Sequence, residues 1–195
     1  MSAALQEQSL LGSLIRGSIT GYRADIDDMI LWTPNFAYIW SPHNFDIHRQ
    51  GLEAEVVDRM PAIGAELGVN AAYSDLIYVG PVFEGQVIYR PHWTGSAHLD
   101  LGAPGFRAGL SARYVGTRRT GIGSSLNLLP AFVVADLRLS RRFRLGHGSL
   151  ELSGGIDNLF DQRTTLLIDY PSPGRGWWVG TRIALGQDGQ PAGTN

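Results

Sequence analysis

The chain has 195 residues, a formal net charge of −2, no cysteine, and 16 basic residues that are all arginine. This balance carries no basic footprint for nucleic acid, and the lack of thiols excludes a disulfide scaffold or a thiolate metal site. No apolar run approaches the ~18 residues of a membrane helix.

Residues 1–12 open the chain as "MSAALQEQSLLG". They have no basic start, and the apolar stretch is broken by Gly12, Ser13 and Arg16, so they read as an N-terminal lead-in rather than a secretory leader. From residue 13 onward the hydrophobic period is two. In "GLEAEVV", Leu52, Ala54 and Val56 oppose Glu53 and Glu55. In "HWTGSAHLDL", Trp93, Ala97, Leu99 and Leu101 oppose His92, Thr94, Ser96, His98 and Asp100. In "FRAGLSARYVGTR", Phe106, Ala108, Leu110, Ala112 and Tyr114 oppose Arg107, Gly109, Ser111 and Arg113. In "VVADLRLSRRF", Val133, Ala135, Leu137 and Leu139 oppose Val134, Asp136, Arg138 and Ser140. Such alternation predicts strands with one apolar and one polar face.

Short breaks fall near Pro61, at 102–105 and at 144–149, while long ones fall near 33–45, 78–86, 116–130 and 164–175. Long and short alternate. About eight strands are therefore expected, near 13–32, 46–59, 63–77, 87–101, 105–117, 131–144, 148–161 and 175–185. In an antiparallel meander all long loops lie at one end. This is the layout of outer-membrane barrels, whose strands need ~9–11 residues to span. Trp32, Phe36, Tyr38, Trp40, Tyr78, Tyr89, Phe132, Phe160, Tyr170, Trp177 and Trp178 gather near the loop-side ends, as an aromatic girdle would. The expected fold is all-β: an antiparallel, up-and-down transmembrane β-barrel meander over 13–186, with a polar tail at 187–195. A soluble β-sandwich binding domain and a self-contained eight-stranded outer-membrane barrel are the alternatives.

Two stretches carry more than a period. The first is Ile156-Asp157-Asn158-Leu159-Phe160-Asp161, and the second is Tyr170-Pro171-Ser172-Pro173-Gly174-Arg175, followed by Trp177 and Trp178. With Tyr-Arg-Pro-His at 89–92, "YRADIDDMI" and "NFDIHRQGLEAEV", they resemble in order and spacing the C-terminal strands of TonB-dependent outer-membrane receptors. The resemblance implies a sector of a 22-stranded barrel, since 22 strands of ~10 residues need roughly 220 residues before any loop is counted. It implies energy-coupled uptake of a scarce ligand (a ferric siderophore, haem or cobalamin) across the outer membrane of a Gram-negative bacterium. Outer-membrane lipid is the expected partner. The missing N-terminal barrel and plug segments are the others, and through them the TonB energy transducer. A piece of this size is expected to be inactive alone. Asn158, Phe160, Asp161, Tyr170, Pro171, Pro173, Gly174 and Arg175 read as structural signatures, with Asn158 bonding a backbone group near a strand end on the apolar side with Ile156 and Phe160.

Other chemistry is thin. His92 and His98 lie about 20 Å apart along one strand, too far for one metal. His43 and His48 flank a loop, and Asp25, Asp27 and Asp28 form an acidic cluster that reads as a solvated rim. No catalytic triad, phosphate loop or nucleotide fingerprint appears. No enzyme activity and no cofactor are expected. His43, Arg118 and Arg119 are the candidate loop contacts for a ligand, the arginines through bidentate bonds to an anion.

Overall fold

The computed structural model describes residues 2–10, 12–35, 37, 39–79, 85–121 and 128–185. Nine long strands dominate: β1 (Ser2–Leu10), β2 (Ser13–Pro34), β3 (Trp40–Met60), β4 (Ala65–Val79), β6 (Trp93–Ala103), β7 (Phe106–Val115), β10 (Phe132–Leu145), β11 (Gly148–Asp157) and β14 (Gly176–Leu185). Short strands decorate the loops: β5 (Gly85–Gln86), β8 (Arg118–Arg119), β9 (Leu128–Leu129), β12 (Thr165–Leu167) and β13 (Tyr170–Pro171). One 3-10 turn, Pro61–Ile63, links β3 to β4, and no α-helix occurs among the described residues.

The long strands form one sheet in the order β1-β2-β3-β4-β6-β7-β10-β11-β14, with β5 added to β4. Every neighbour pair on this path is antiparallel. The sheet is open: among the described residues no pairing joins β1 to β14. Tight turns close β1–β2, β3–β4, β6–β7 and β10–β11, while longer connections join the other neighbours at the opposite end.

Register carries the sequence alternation across strands. Leu67, Leu99, Leu110, Leu137, Ile156 and Trp177 lie opposite one another in a single row over six strands. The next row but one is Val56, Val69, Ala97, Ala112 and Ala135. These apolar residues are not a buried core. Leu110 is 43% exposed, Val69 47% and Ile183 68%. A contiguous, exposed apolar face of this extent is what the outer side of a membrane barrel presents. Tyr73, Trp93, Tyr114 and Trp177 edge it toward the long loops, and Phe106 and Phe143 edge it at the tight turns. Phe106 to Tyr114 is eight steps, about 26 Å of strand, which at the usual tilt covers most of a ~25 Å apolar band.

The structure corrects several expectations. The 1–12 lead-in contains β1, which pairs with β2. The long loop expected at 33–45 is a protruding hairpin, because β2 runs to Pro34 and β3 restarts at Trp40, leaving only 35–39 as the turn. A strand expected from 87 begins at Trp93, and the one expected to reach 161 ends at Asp157. There Asn158 takes a φ of 55°, outside the strand region, so Asn158 and Phe160 do not continue the apolar face. The polar tail at 187–195, and Phe36 and Tyr38 of the aromatic set, lie outside the described residues.

Candidate functional site

The polar face is built by the other half of each alternation. A cavity of about 830 Å³ opens on it, reached from β3, β4, β6, β7, β10, β11 and β14. The charged side chains of the polar face are partly paired. Arg59 Nε meets Glu66 Oε2 at 2.7 Å, His98 Nε2 lies 3.6 Å from Glu66 Oε1, and Arg142 Nη2 meets Glu151 Oε2 at 2.8 Å. Large side chains lie flat over glycines of the next strand. A Cβ on Gly155 would fall 2.6 Å from Trp178 Nε1, one on Gly51 would fall 2.5 Å from the Tyr22 hydroxyl, and one on Gly68 would run into the His98 ring. The adjacent tryptophans therefore part: Trp177 joins the lipid-facing row and Trp178 lies on the polar wall.

Above the band, the long loops stand on a small apolar cluster of Ile47, Tyr78 and Val87, packed by Ile26, Met29, Leu31, Phe45 and Leu76. On this base sits a second cavity of about 580 Å³. Trp32, Trp40, Tyr89, Arg90, Arg118 and Leu166 are among its lining residues. Trp40 and Tyr89 face each other with ring centroids 5.8 Å apart at 37°. Trp32, Trp40 and Tyr89 of the expected aromatic set thus line this cavity. Arg90 was not singled out by the sequence. Its place in Tyr-Arg-Pro-His, directly before a proline, was the available signal.

Arg118 is only 3% exposed, although the sequence placed it in a loop open to ligand. Its guanidinium donates to the carbonyls of Thr165 at 3.1 Å and of Leu166 and Pro130 at 3.4 Å, and lies 5.1 Å from the Phe132 ring centroid. Burial pulls its pKa below the usual guanidinium value, since desolvation penalises the charged form. Arg119 works through its backbone, its carbonyl accepting the Tyr89 N–H at 2.6 Å. The arginine pair thus ties three loop segments together at the cavity wall.

His43 is exposed and 2.9 Å from Ser41 Oγ. It does not approach His48, which is bound to Asp25 at 2.5 Å and lies an odd number of residues along β3, on the opposite face. Asp28 has a φ of 54° in the bulge between Ile26 and Met29, and its N–H donates to Asp46 Oδ1 at 3.0 Å. His92 stacks on Tyr73 and lies 3.4 Å from Asp75, while His98 faces Glu66, so the two are apart. Among the described residues no group of three metal-ligating side chains forms.

The two signature stretches meet in space. Asn158 is buried; its N–H donates to Asp136 Oδ1 at 2.8 Å, and its Nδ2 donates to the Gln162 carbonyl at 3.0 Å and the Pro173 carbonyl at 3.5 Å. The Gln162 N–H returns a bond to Asn158 Oδ1 at 2.8 Å. Asp161 Oδ1 accepts the Arg175 N–H at 2.8 Å and lies against Gly174. The first stretch thus clasps the second just before β14 begins. Tyr170 and Pro171 pair with Leu167 and Thr165, and the side chains of Phe160 and Tyr170 stand out in solvent, each 71% exposed.

The model of the family described as TonB dependent receptor-like, beta-barrel, matches residues 5–159. The chain belongs to that family. The TonB-dependent receptors are transport receptors, not enzymes. No curated protein matches the sequence. Solved receptor structures share the fold. "Copper transporter OprC" superposes with a TM-score of 0.66 at 19% identity, over 92% of this chain and 30% of that one. The ferric citrate transporter FecA gives 0.64 at 14% identity, over 90% and 29%. The ferric-catecholate import receptor Fiu from E. coli K12 gives 0.60 at 16%, over 88% and 25%. The chain therefore spans less than a third of each of these TonB-dependent receptor structures.

Proposed function

We propose that the chain forms a C-terminal sector of the wall of a TonB-dependent receptor in a Gram-negative outer membrane, and that the whole receptor takes up a scarce ligand of the siderophore, haem or cobalamin class. The open nine-stranded meander carries this reading: its outward face is apolar, its inward face is charged, and both edges lack partners among the described residues. Edges of this kind are unstable in lipid, so β1 and β14 pair with further strands of the barrel. The plug rests on the polar wall, and the energy transducer acts through the plug. The signature residues from Asn158 to Arg175 hold the last loop, and the ligand enters past the loop-end cavity. The open order of the sheet among the described residues favours this sector over a self-contained barrel.

The chain has no native cysteine, so single substitutions report cleanly. Val69→Cys and Leu110→Cys should react with a lipid-soluble maleimide and resist a charged, water-soluble one. Ser96→Cys and Ser111→Cys, on the opposite face, should show the reverse. Equal labelling of all four by the charged reagent would overturn the membrane-wall reading.

A further inference from the structure

The apolar outward face carries a cation at its tight-turn edge. Between the Tyr73–Trp93–Tyr114–Trp177 edge and the tight turns, the charged side chains that share this face among the described residues are Asp58 and Arg141. Arg141 lies on β10 two residues after Leu139, and is paired in register with Phe106 on β7 and Leu152 on β11. Phe143 follows on the same face, and the Arg141 Cζ lies 5.9 Å from its ring centroid. Arg141 is exposed, so an open guanidinium stands beside two phenyl side chains. An arginine on the lipid face of a barrel is costly at the bilayer midplane and nearly free at the boundary, where headgroups and water reach it. The other arginines of this strand end face away from lipid. Arg142 belongs to the polar wall, where Glu151 holds it at 2.8 Å, and Arg144 shares its face.

We infer that Arg141, Phe106 and Phe143 form a binding site for an anionic phospholipid in the leaflet on the tight-turn side. The arginine stem lies along apolar surface while its head reaches the boundary. There the planar fork donates two parallel N–H bonds to phosphate oxygens. The two phenyl rings receive the glycerol backbone and the first methylenes, and Leu139 and Leu152 carry the acyl chains. Charge makes the choice between lipids. A zwitterionic headgroup brings its own cation to its phosphate, whereas a net-anionic one leaves that charge to the arginine. Free inorganic phosphate would gain nothing from the rings and leucines, so the site selects a lipid. This inference rests on the membrane-wall reading and names the lipid that the wall selects.

The test places a single bimane label at Leu139→Cys, which the absence of native cysteine allows. The labelled chain is reconstituted in phosphatidylcholine vesicles that contain equal fractions of either dibrominated phosphatidylglycerol or dibrominated phosphatidylcholine, whose bromines quench bimane on contact. The glycerol lipid should quench at least twofold more than the choline lipid. Val69→Cys, on the same face but remote from Arg141, should show no preference. Arg141→Gln should bring the two lipids level at Leu139→Cys. Arg107→Gln removes the same charge from the polar wall, opposite Ser140, and should leave the preference intact. Inorganic phosphate added at constant ionic strength should leave it intact as well. Equal quenching by the two lipids at Leu139→Cys, a preference that survives Arg141→Gln, or one lost with Arg107→Gln or inorganic phosphate would overturn the inference. The first comparison keeps Arg141 in place, so it stays decisive even where a variant fails to fold. Strong but equal quenching removes only the headgroup selectivity. No quenching by either lipid at Leu139→Cys and Val69→Cys removes the membrane wall itself, and this site with it.

Discussion

At Asn158 the chain leaves β11 with a φ of 55°, and the side chain closes the turn it has opened through reciprocal bonds with Gln162. Asparagine suits both tasks, because it tolerates the left-handed region and carries a donor and an acceptor on one short side chain. Asn158→Ala removes the bonds and strains the backbone, and should cost about 2–4 kcal/mol. Asn158→Gly keeps the φ and should cost about half as much. Chemical unfolding in detergent separates the two; equal stability of all three proteins would remove Asn158 from the clasp. The sequence displayed both signature stretches, and proline and glycine announced the turn at 170–175, while the strand was expected to run on through Asn158 to 161. It did not display that Asp161 holds Arg175, a contact between backbone and side chain 14 positions apart. Such contacts leave no period. The burial of Arg118 was hidden for the same reason: its carbonyl partners lie up to 48 residues away.

At the scale of a strand, alternation was the legible signal, and it placed most residues read in β3, β6, β7 and β10 on the correct face, and parted Trp177 from Trp178 in β14. Leu110 sits midway along the outward side of β7, and Ser111 beside it faces the polar wall. Leu110→Arg should therefore cost about 2–4 kcal/mol in lipid vesicles, and Ser111→Arg well under 1 kcal/mol, measured by guanidinium unfolding. Similar costs at the two positions would contradict the assigned faces. Two elements escaped the sequence reading for identifiable reasons. β1 has a register shift between Leu5 and Gln8 that interrupts its period. The upper part of the β2–β3 hairpin contains Pro34 and Pro42, which normally argue against a strand. There each strand is paired on one side only: β1 reaches no further than Thr20, and β4 no further than Asp46. A proline can face the unpaired side without breaking a ladder.

At the scale of the molecule, the open edges decide what the chain does by itself. Cells carrying these 195 residues in the outer membrane should take up radioactive iron, supplied as its citrate chelate, no faster than cells without them. Uptake clearly above that background would show that the open sheet closes into a working pore unaided. The joints inside the sheet carry a different consequence. Tyr22 over Gly51 joins β2 to β3, His98 over Gly68 joins β4 to β6, and Trp178 over Gly155 joins β11 to β14. All three lie between tight-turn hairpins, and none lies within one. A hairpin duplicated or exchanged between barrels would bring a ring without its glycine, or a glycine without its ring. A block exchanged into this sheet should therefore be tolerated best when it carries both halves of a joint.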